Sequence, residues 1–146
     1  MTRVLVLNGP NLGRLGTREP EVYGTLTLDE IRATLESDAS DTVQIELRQT
    51  DDEATLIGWL HEATDAKSPV ILNPAAFTHY SYGLRDAVAI LTSAGVPLVE
   101  VHLSNPHARE EFRHTSVISA VATGVILGFG ADSYRLALQA VLSRLP

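Results

Sequence analysis

Arg3-Val-Leu-Val-Leu7 empties into Asn8-Gly-Pro-Asn-Leu-Gly-Arg-Leu-Gly-Thr-Arg-Glu-Pro-Glu-Val-Tyr-Gly24, and Thr27-Leu-Asp-Glu30 then opens a helix. The first run has the β-branched and aliphatic character of a strand. Thr27 and Glu30 stand at capping-box spacing, where a hydroxyl and a carboxylate satisfy N–H groups that the first helical turn leaves free. Leu28, Ile31 and Leu35 then mark one helical face, which predicts a helix to about Ser40. Strand, loop and helix in this order form the unit whose repetition decides the fold.

The unit recurs to the end of the chain. Residues 42–48 alternate strictly, as a half-buried edge strand does. Thr50-Asp-Asp-Glu53 reads as a second capping box, leading a helix with Leu56, Ile57, Leu60 and Ala63 that ends near Ala66. Pro69–Asn73 is continuously apolar, the mark of a strand buried on both faces. A loop with Phe77, Thr78 and His79 leads to a helix over 82–94, closed by Gly95. Strands at 97–103 and 123–128 flank a polar segment, 104–116, and a last helix spans 131–145. Five strands alternating with helices predict one α/β domain over residues 1–146. Its expected core is a flavodoxin-like five-stranded parallel sheet, order 2-1-3-4-5, with helices on both faces and right-handed crossovers. Ligands of such sheets bind beyond the carboxyl ends of the strands, where the strand order reverses. That rule gathers Asn8 and Asn11, Asn73 and His79, and His102 and Ser104 around one crevice.

The connection from Asn8 to Gly24 is long for a compact domain, and such loops are usually functional or disordered. A segment between a buried strand and a capped helix that carries Arg14, Arg18 and Tyr23 reads as an active-site lid over about 12–24.

Composition narrows the chemistry. A net charge of −7 disfavours nucleic acid as a partner, which calls for a basic face. Without cysteine there are no disulfides, thiolate nucleophiles or sulfur-bound zinc, which suits a reducing cytoplasm. The first apolar run is too short for a signal peptide and no stretch approaches about 18 apolar residues, so neither export nor membrane insertion is expected. Ten arginines accompany one lysine, Lys67, in a polar Asp-Ala-Lys-Ser-Pro turn where a solvated role is expected. Phosphate-loop and dinucleotide spacings are absent: Gly9, Gly13 and Gly16 fit neither, and Gly128-Phe-Gly130 lacks the third glycine. There is no Gly-x-Ser-x-Gly nucleophile elbow. His107 and His114 do not form a metal-binding spacing, and no metal is expected.

The residues that carry chemistry lie at strand ends and on the lid. Glu100 is a carboxylate inside an apolar strand, two residues from His102 and so on the same face. A carboxylate there fixes the imidazole tautomer and raises its pKa, which suits a general acid, although a buried Glu–Arg pair is the competing reading. Arg109 and Arg113 lie four residues apart on the segment after the fourth strand, which puts them on one helical face. Together with Arg18 they suggest an anionic substrate, most simply a carboxylate. Cations beside Tyr23 would lower a phenol pKa of about 10 and make it a competent base.

These motifs resemble one family closely. Asn8-Gly-Pro-Asn-Leu-Gly-Arg-Leu-Gly16 with Arg18-Glu-Pro and Tyr23-Gly, Leu72-Asn-Pro-Ala-Ala-Phe-Thr-His79, and Glu100-Val-His-Leu-Ser-Asn-Pro-His-Ala-Arg-Glu-Glu-Phe-Arg113 look like type II 3-dehydroquinate dehydratase. The resemblance runs in order along essentially the whole chain. It implies a cytoplasmic homododecamer, a tetramer of trimers, that carries out the cofactor-free anti elimination of water from 3-dehydroquinate in the shikimate pathway. Carried over by motif, Tyr23 is the base and Arg18 keeps it ionised and positioned. Asn11 steadies an enolate through a water, and His102 is the acid with Glu100 as its orienting partner. Asn73, His79, Ser104, the Leu103 backbone and Arg113 would hold the substrate, Arg109 would close with the lid, and Asp86 would reach a neighbouring subunit's site.

The departures from the family are confined to Tyr80-Ser-Tyr-Gly83, Pro106 and Thr115, none at a position implied to be catalytic. The unrelated type I enzymes use a lysine Schiff base, for which this chain offers only Lys67. A non-catalytic flavodoxin-like module that binds a small anionic metabolite is the alternative from another class, because its strand ends would look much the same.

Overall fold

A computed structural model describes residues 1–146. Five parallel strands, β1 (Thr2–Asn8), β2 (Val43–Gln49), β3 (Val70–Asn73), β4 (Leu98–His102) and β5 (Gly124–Leu127), form one sheet in the order β2-β1-β3-β4-β5. The expected order holds, and the edge position of β2 accounts for its alternation. After the one-turn α1 (Pro20–Tyr23) come α2 (Leu28–Asp38), α3 (Glu53–Ala66), α4 (Tyr82–Ser93) and α5 (Asp132–Leu142).

The pleat of β1 sorts the core into two layers. Leu5 and Leu7 face Leu56, Leu60, Leu84, Val88 and Leu91 of α3 and α4, all essentially without solvent contact. Val4 and Val6 face Ile31 and Leu35 of α2 and Ala137, Leu138 and Val141 of α5. Each such valine, leucine or isoleucine side chain contributes on the order of 1.5–3 kcal/mol by leaving water. With both faces packed this way, the polar ends of β1, β3 and β4 are left to form the site.

Two local expectations need correction. The cap of α3 is Asp52 rather than Thr50: its carboxylate accepts the Thr55 N–H at 3.2 Å, while the Thr50 hydroxyl accepts the Asp52 N–H at 3.0 Å. An ionised carboxylate is the stronger acceptor at a helix N-terminus, and it displaces the capping box by two residues. Residues 104–116 do not form a single helix. Two 3-10 turns, Pro106–Ala108 and Glu111–His114, are separated by an extended Arg109, so Arg109 and Arg113 do not share a helical face. Thr27, by contrast, caps α2, accepting from the Glu30 N–H at 3.2 Å, although the Glu30 carboxylate accepts the Thr27 hydroxyl at 3.3 Å and not the backbone N–H that a full capping box would give it.

The exits of β1 and β3 lie very close together. Gly9 donates its N–H to the Asn73 carbonyl at 2.8 Å, and a Cβ on Gly9 would stand 2.6 Å from the Pro74 carbonyl oxygen. Only glycine permits that approach. The connection that follows is not featureless, since it holds the 3-10 turn Leu12–Arg14 and α1, with Leu12 and Leu15 buried in the core. Two of its non-glycine residues, Asn11 (φ 69°) and Glu19 (φ 40°), take the left-handed conformation. Sparsely populated backbone of this kind is often found where a loop serves a site.

Candidate active site

A cavity of about 270 Å³ opens at the carboxyl ends of β1, β3 and β4. Asn11, Arg18 and Tyr23 line it from the β1 connection, Asn73 and His79 from the end of β3 and the turn after it, and His102, Leu103, Ser104, Arg109 and Arg113 from β4 and its following segment. Asn8 does not line it. Its amide turns inward, donating to the Arg48 carbonyl at 3.0 Å and accepting the Tyr134 hydroxyl at 2.6 Å. Asp86 also lies outside the cavity of its own chain, on the exposed side of α4 near Arg85.

Tyr23 is half-buried between cations. The Arg18 Cζ stands 4.6 Å from its ring centroid and the Arg109 Cζ 5.1 Å. Arg109 also donates to the Ser104 hydroxyl at 3.2 Å, which ties the β1 connection to the end of β4. Arg113 hydrogen-bonds Glu110 at 3.0 Å and lies over the Phe112 ring. The lining holds three arginines and two histidines but no aspartate or glutamate, in a chain of net charge −7. Such a surface favours an anionic ligand.

The remaining polar groups are held by the scaffold. Asn73 donates to the Tyr134 hydroxyl at 3.0 Å and accepts the Ala75 N–H at 3.1 Å, which leaves one amide N–H for a ligand. His79 Nδ1 lies 2.8 Å from the Thr115 carbonyl, which can only accept, so Nδ1 carries the hydrogen and Nε2 is left as the acceptor. Burial of the Tyr134 phenol pushes its pKa up, so it stays neutral and serves as a strut.

Glu100 pairs with His102 rather than with an arginine: its Oε2 lies 2.5 Å from His102 Nε2. Burial pushes the Glu100 carboxyl up, but hydrogen bonds from His102, Ser119 and Thr78, together with the His102 charge, outweigh it and hold the group below its ordinary range. An ionised carboxylate only accepts, so Nε2 carries a hydrogen and Nδ1 is free to work. On its other side Glu100 borders a second, polar cavity of about 260 Å³ that His102 also lines.

Sequence reasoning missed Phe112, which lines the first cavity and meets His79 edge-on at 5.7 Å. It also missed the hydroxyls of Thr78, Ser116 and Ser119 around Glu100. The available signal was Thr78 beside His79 and the two serines in Ser116-Val-Ile-Ser119, but nothing in their spacing points to a carboxylate on another strand.

Comparison with known proteins adds a second line of support. The model of the family "Dehydroquinase class II" matches residues 2–142. The 3-dehydroquinate dehydratase of Salinispora tropica is 59% identical over 143 residues, covering 97% of this chain and 98% of that protein. That of Mycobacterium tuberculosis is 55% identical over 137 residues, covering 93% and 91%. The crystal structure of type II dehydroquinase from Propionibacterium acnes superposes with a TM-score of 0.92 at 49% identity, covering 98% of this chain and 97% of that one.

Proposed function

The chain belongs to the dehydroquinase class II family and dehydrates 3-dehydroquinate, and from that premise we propose how its own residues perform the reaction. Tyr23, as the phenolate, removes the proton from C2. Two guanidinium groups over the ring attract the negative charge that the phenol must carry to act as a base. The electron pair spreads into the neighbouring carbonyl as an enolate, which Asn11 steadies through a water. It then returns to expel the C1 hydroxyl, which takes a proton from His102 and leaves as water. Glu100 orients the imidazole, and no cofactor takes part.

The observation that carries this reading is the arrangement of Tyr23 and His102. Tyr23 under Arg18 and Arg109, and His102 against Glu100, line one cavity from separate elements. Acid and base on different elements suit an anti elimination, in which proton and hydroxyl leave from opposite faces. Arg113, Asn73, His79, Ser104 and the Leu103 backbone hold the substrate's carboxylate and hydroxyls. The chain acts as a single catalytic domain, with residues 12–24 closing over the substrate and Arg109 closing with them.

The working assembly is a cytoplasmic homododecamer, a tetramer of trimers, in which Asp86 reaches the site of a neighbouring subunit. Asp86 supports this by lying outside its own cavity, on a helix that opens with the exposed Tyr82. The experiment is spectrophotometric: 3-dehydroquinate is converted to a conjugated enone whose absorbance rises with time. Tyr23→Phe is expected to abolish that rise while folding and assembly persist. Wild-type kcat in the purified variant would refute the tyrosinate mechanism.

A further inference from the structure

We infer that Thr78 and Ser119 are positioning residues for the acid His102, acting on it through the Glu100 carboxylate; the inference rests on the roles proposed above for His102 and Glu100. The Ser119 hydroxyl lies 2.6 Å from Glu100 Oε1, and the Thr78 hydroxyl lies 2.7 Å from Oε2, the oxygen that also meets His102 Nε2 at 2.5 Å.

The direction of each hydrogen follows from what each atom can do. Ser116 Oγ accepts the N–H groups of Ile118 and Ser119 at 3.1 and 3.0 Å, so its lone pairs are engaged and its own hydrogen points away from them. At 2.8 Å from the Thr78 hydroxyl it donates there, which leaves the Thr78 hydrogen for Glu100. The row therefore runs one way, from the backbone of residues 118 and 119 through Ser116 and Thr78 to the carboxylate, and bonds in such rows polarise one another. Ser119 adds a second hydroxyl donor on the other oxygen. Both carboxylate oxygens are thus engaged, and Glu100 is fixed in position as an ionised acceptor. With that acceptor fixed, the plane of the His102 ring and the hydrogen on Nε2 are fixed too, and Nδ1 stays aimed at the substrate.

Removing the Ser119 hydroxyl frees Oε1, whereas removing that of Thr78 leaves Oε2 held by His102 with Ser116 at 3.4 Å; either loss takes one donor from the carboxylate, loosens its hold on the imidazole and makes it readier to take up a proton. The other titratable or charged groups near Glu100 are His102 on its own strand and, across the second cavity, His107, His114 and Arg113.

The experiment compares Ser119→Ala, Thr78→Val and Ser119→Thr with wild type in the enone assay across pH. In the first two, kcat is expected to fall on the order of 10-fold, the low end of the loss seen when a hydrogen-bond partner behind a metal-ligating histidine is removed. KM should stay within about twofold, since substrate contacts are untouched. The acid limb of the kcat profile should move to higher pH, and Ser119→Thr should restore both readings. Unchanged kcat and an unmoved acid limb in both variants would overturn the inference. So would a loss of kcat with no movement of the limb and no rescue by threonine, because that pattern marks a general structural defect. Nitrogen NMR of His102 in the unliganded protein keeps the two ideas apart. It is expected to show hydrogen on Nε2 in wild type and a mixture of the two tautomers in Ser119→Ala, whether or not 3-dehydroquinate is turned over. A wild type without turnover would strike the proposed function, whereas hydrogen on Nδ1 in wild type or an unaltered tautomer in the variant would strike this inference.

Discussion

Tyr134 donates its phenol hydrogen to Asn8 Oδ1 at 2.6 Å, joining the last helix to the end of the first strand across 126 positions of sequence. The Tyr134 hydroxyl oxygen in turn accepts the Asn73 amide N–H at 3.0 Å, so one buried hydroxyl sets the direction of two asparagines at the point where the strand order reverses. Tyr134→Phe leaves both amides short of a partner, and a buried unpaired polar group costs about 1–3 kcal/mol. For a domain of this size the melting temperature should drop by about 2–4 °C per kcal/mol lost, as scanning calorimetry would register. An unchanged melting temperature would mean that the hydroxyl is not a strut.

Glu100 gives the fold a pH dependence with a definite sign. Its carboxyl sits below the ordinary value of 4.5, so the folded chain binds this proton more weakly than the unfolded chain. The resulting stability is present above that value and is lost as pH falls through the lower folded one. Denaturant midpoints of wild type and Glu100→Gln should therefore differ most in the neutral range, and the gap should close at acid pH. A gap of constant size across the acid range would show that the carboxylate charge is not its source.

Arg109 acts through shape as well as charge. Lysine would keep the charge but lose the planar group that lies over Tyr23 while donating to Ser104. A cation over an aromatic ring is worth about 0.5–2 kcal/mol, so Arg109→Lys should lower kcat by about 2- to 30-fold in steady-state assays. A lysine variant with wild-type kcat would reduce the role of Arg109 to its charge.

Lys67 closes α3 in a left-handed conformation (φ 54°) and does not line the cavity. Borohydride added with substrate should therefore leave the enzyme active. Inactivation accompanied by mass added at Lys67 would overturn the assignment to this family's chemistry.

What could be read from the sequence was whatever repeats or sits at a strand end. The apolar runs of β1 and β3, the alternation of β2 and the Thr27 cap announced the sheet because each depends on neighbours in sequence. Tyr23, His102 and Arg18 were accessible for the same reason, since the topology alone carries strand ends and their loops to one crevice. Side-chain direction was not accessible. Asn8 turns inward because of Tyr134, and Glu100 is held by Thr78 and Ser119, 22 and 19 positions away. The cap at Asp52 was misplaced because two potential acceptors stood two residues apart, and spacing alone does not say which of them meets the free N–H groups of the first turn. Arg109 and Arg113 reach the cavity by separate turns, which spacing alone could not distinguish from a helix.

The cavity is divided in a way that separates two tasks. Asn73 and His79 belong to the framework, each tied to another part of the fold. Tyr23 and Arg18 ride on a connection anchored by Leu12 and Leu15 and otherwise largely exposed. On the roles proposed above, recognition would be complete before reactivity is assembled. With that connection displaced, the remaining framework would hold the substrate without the base, so a compound bridging floor and connection would trap the enzyme in a state that holds its ligand without transforming it.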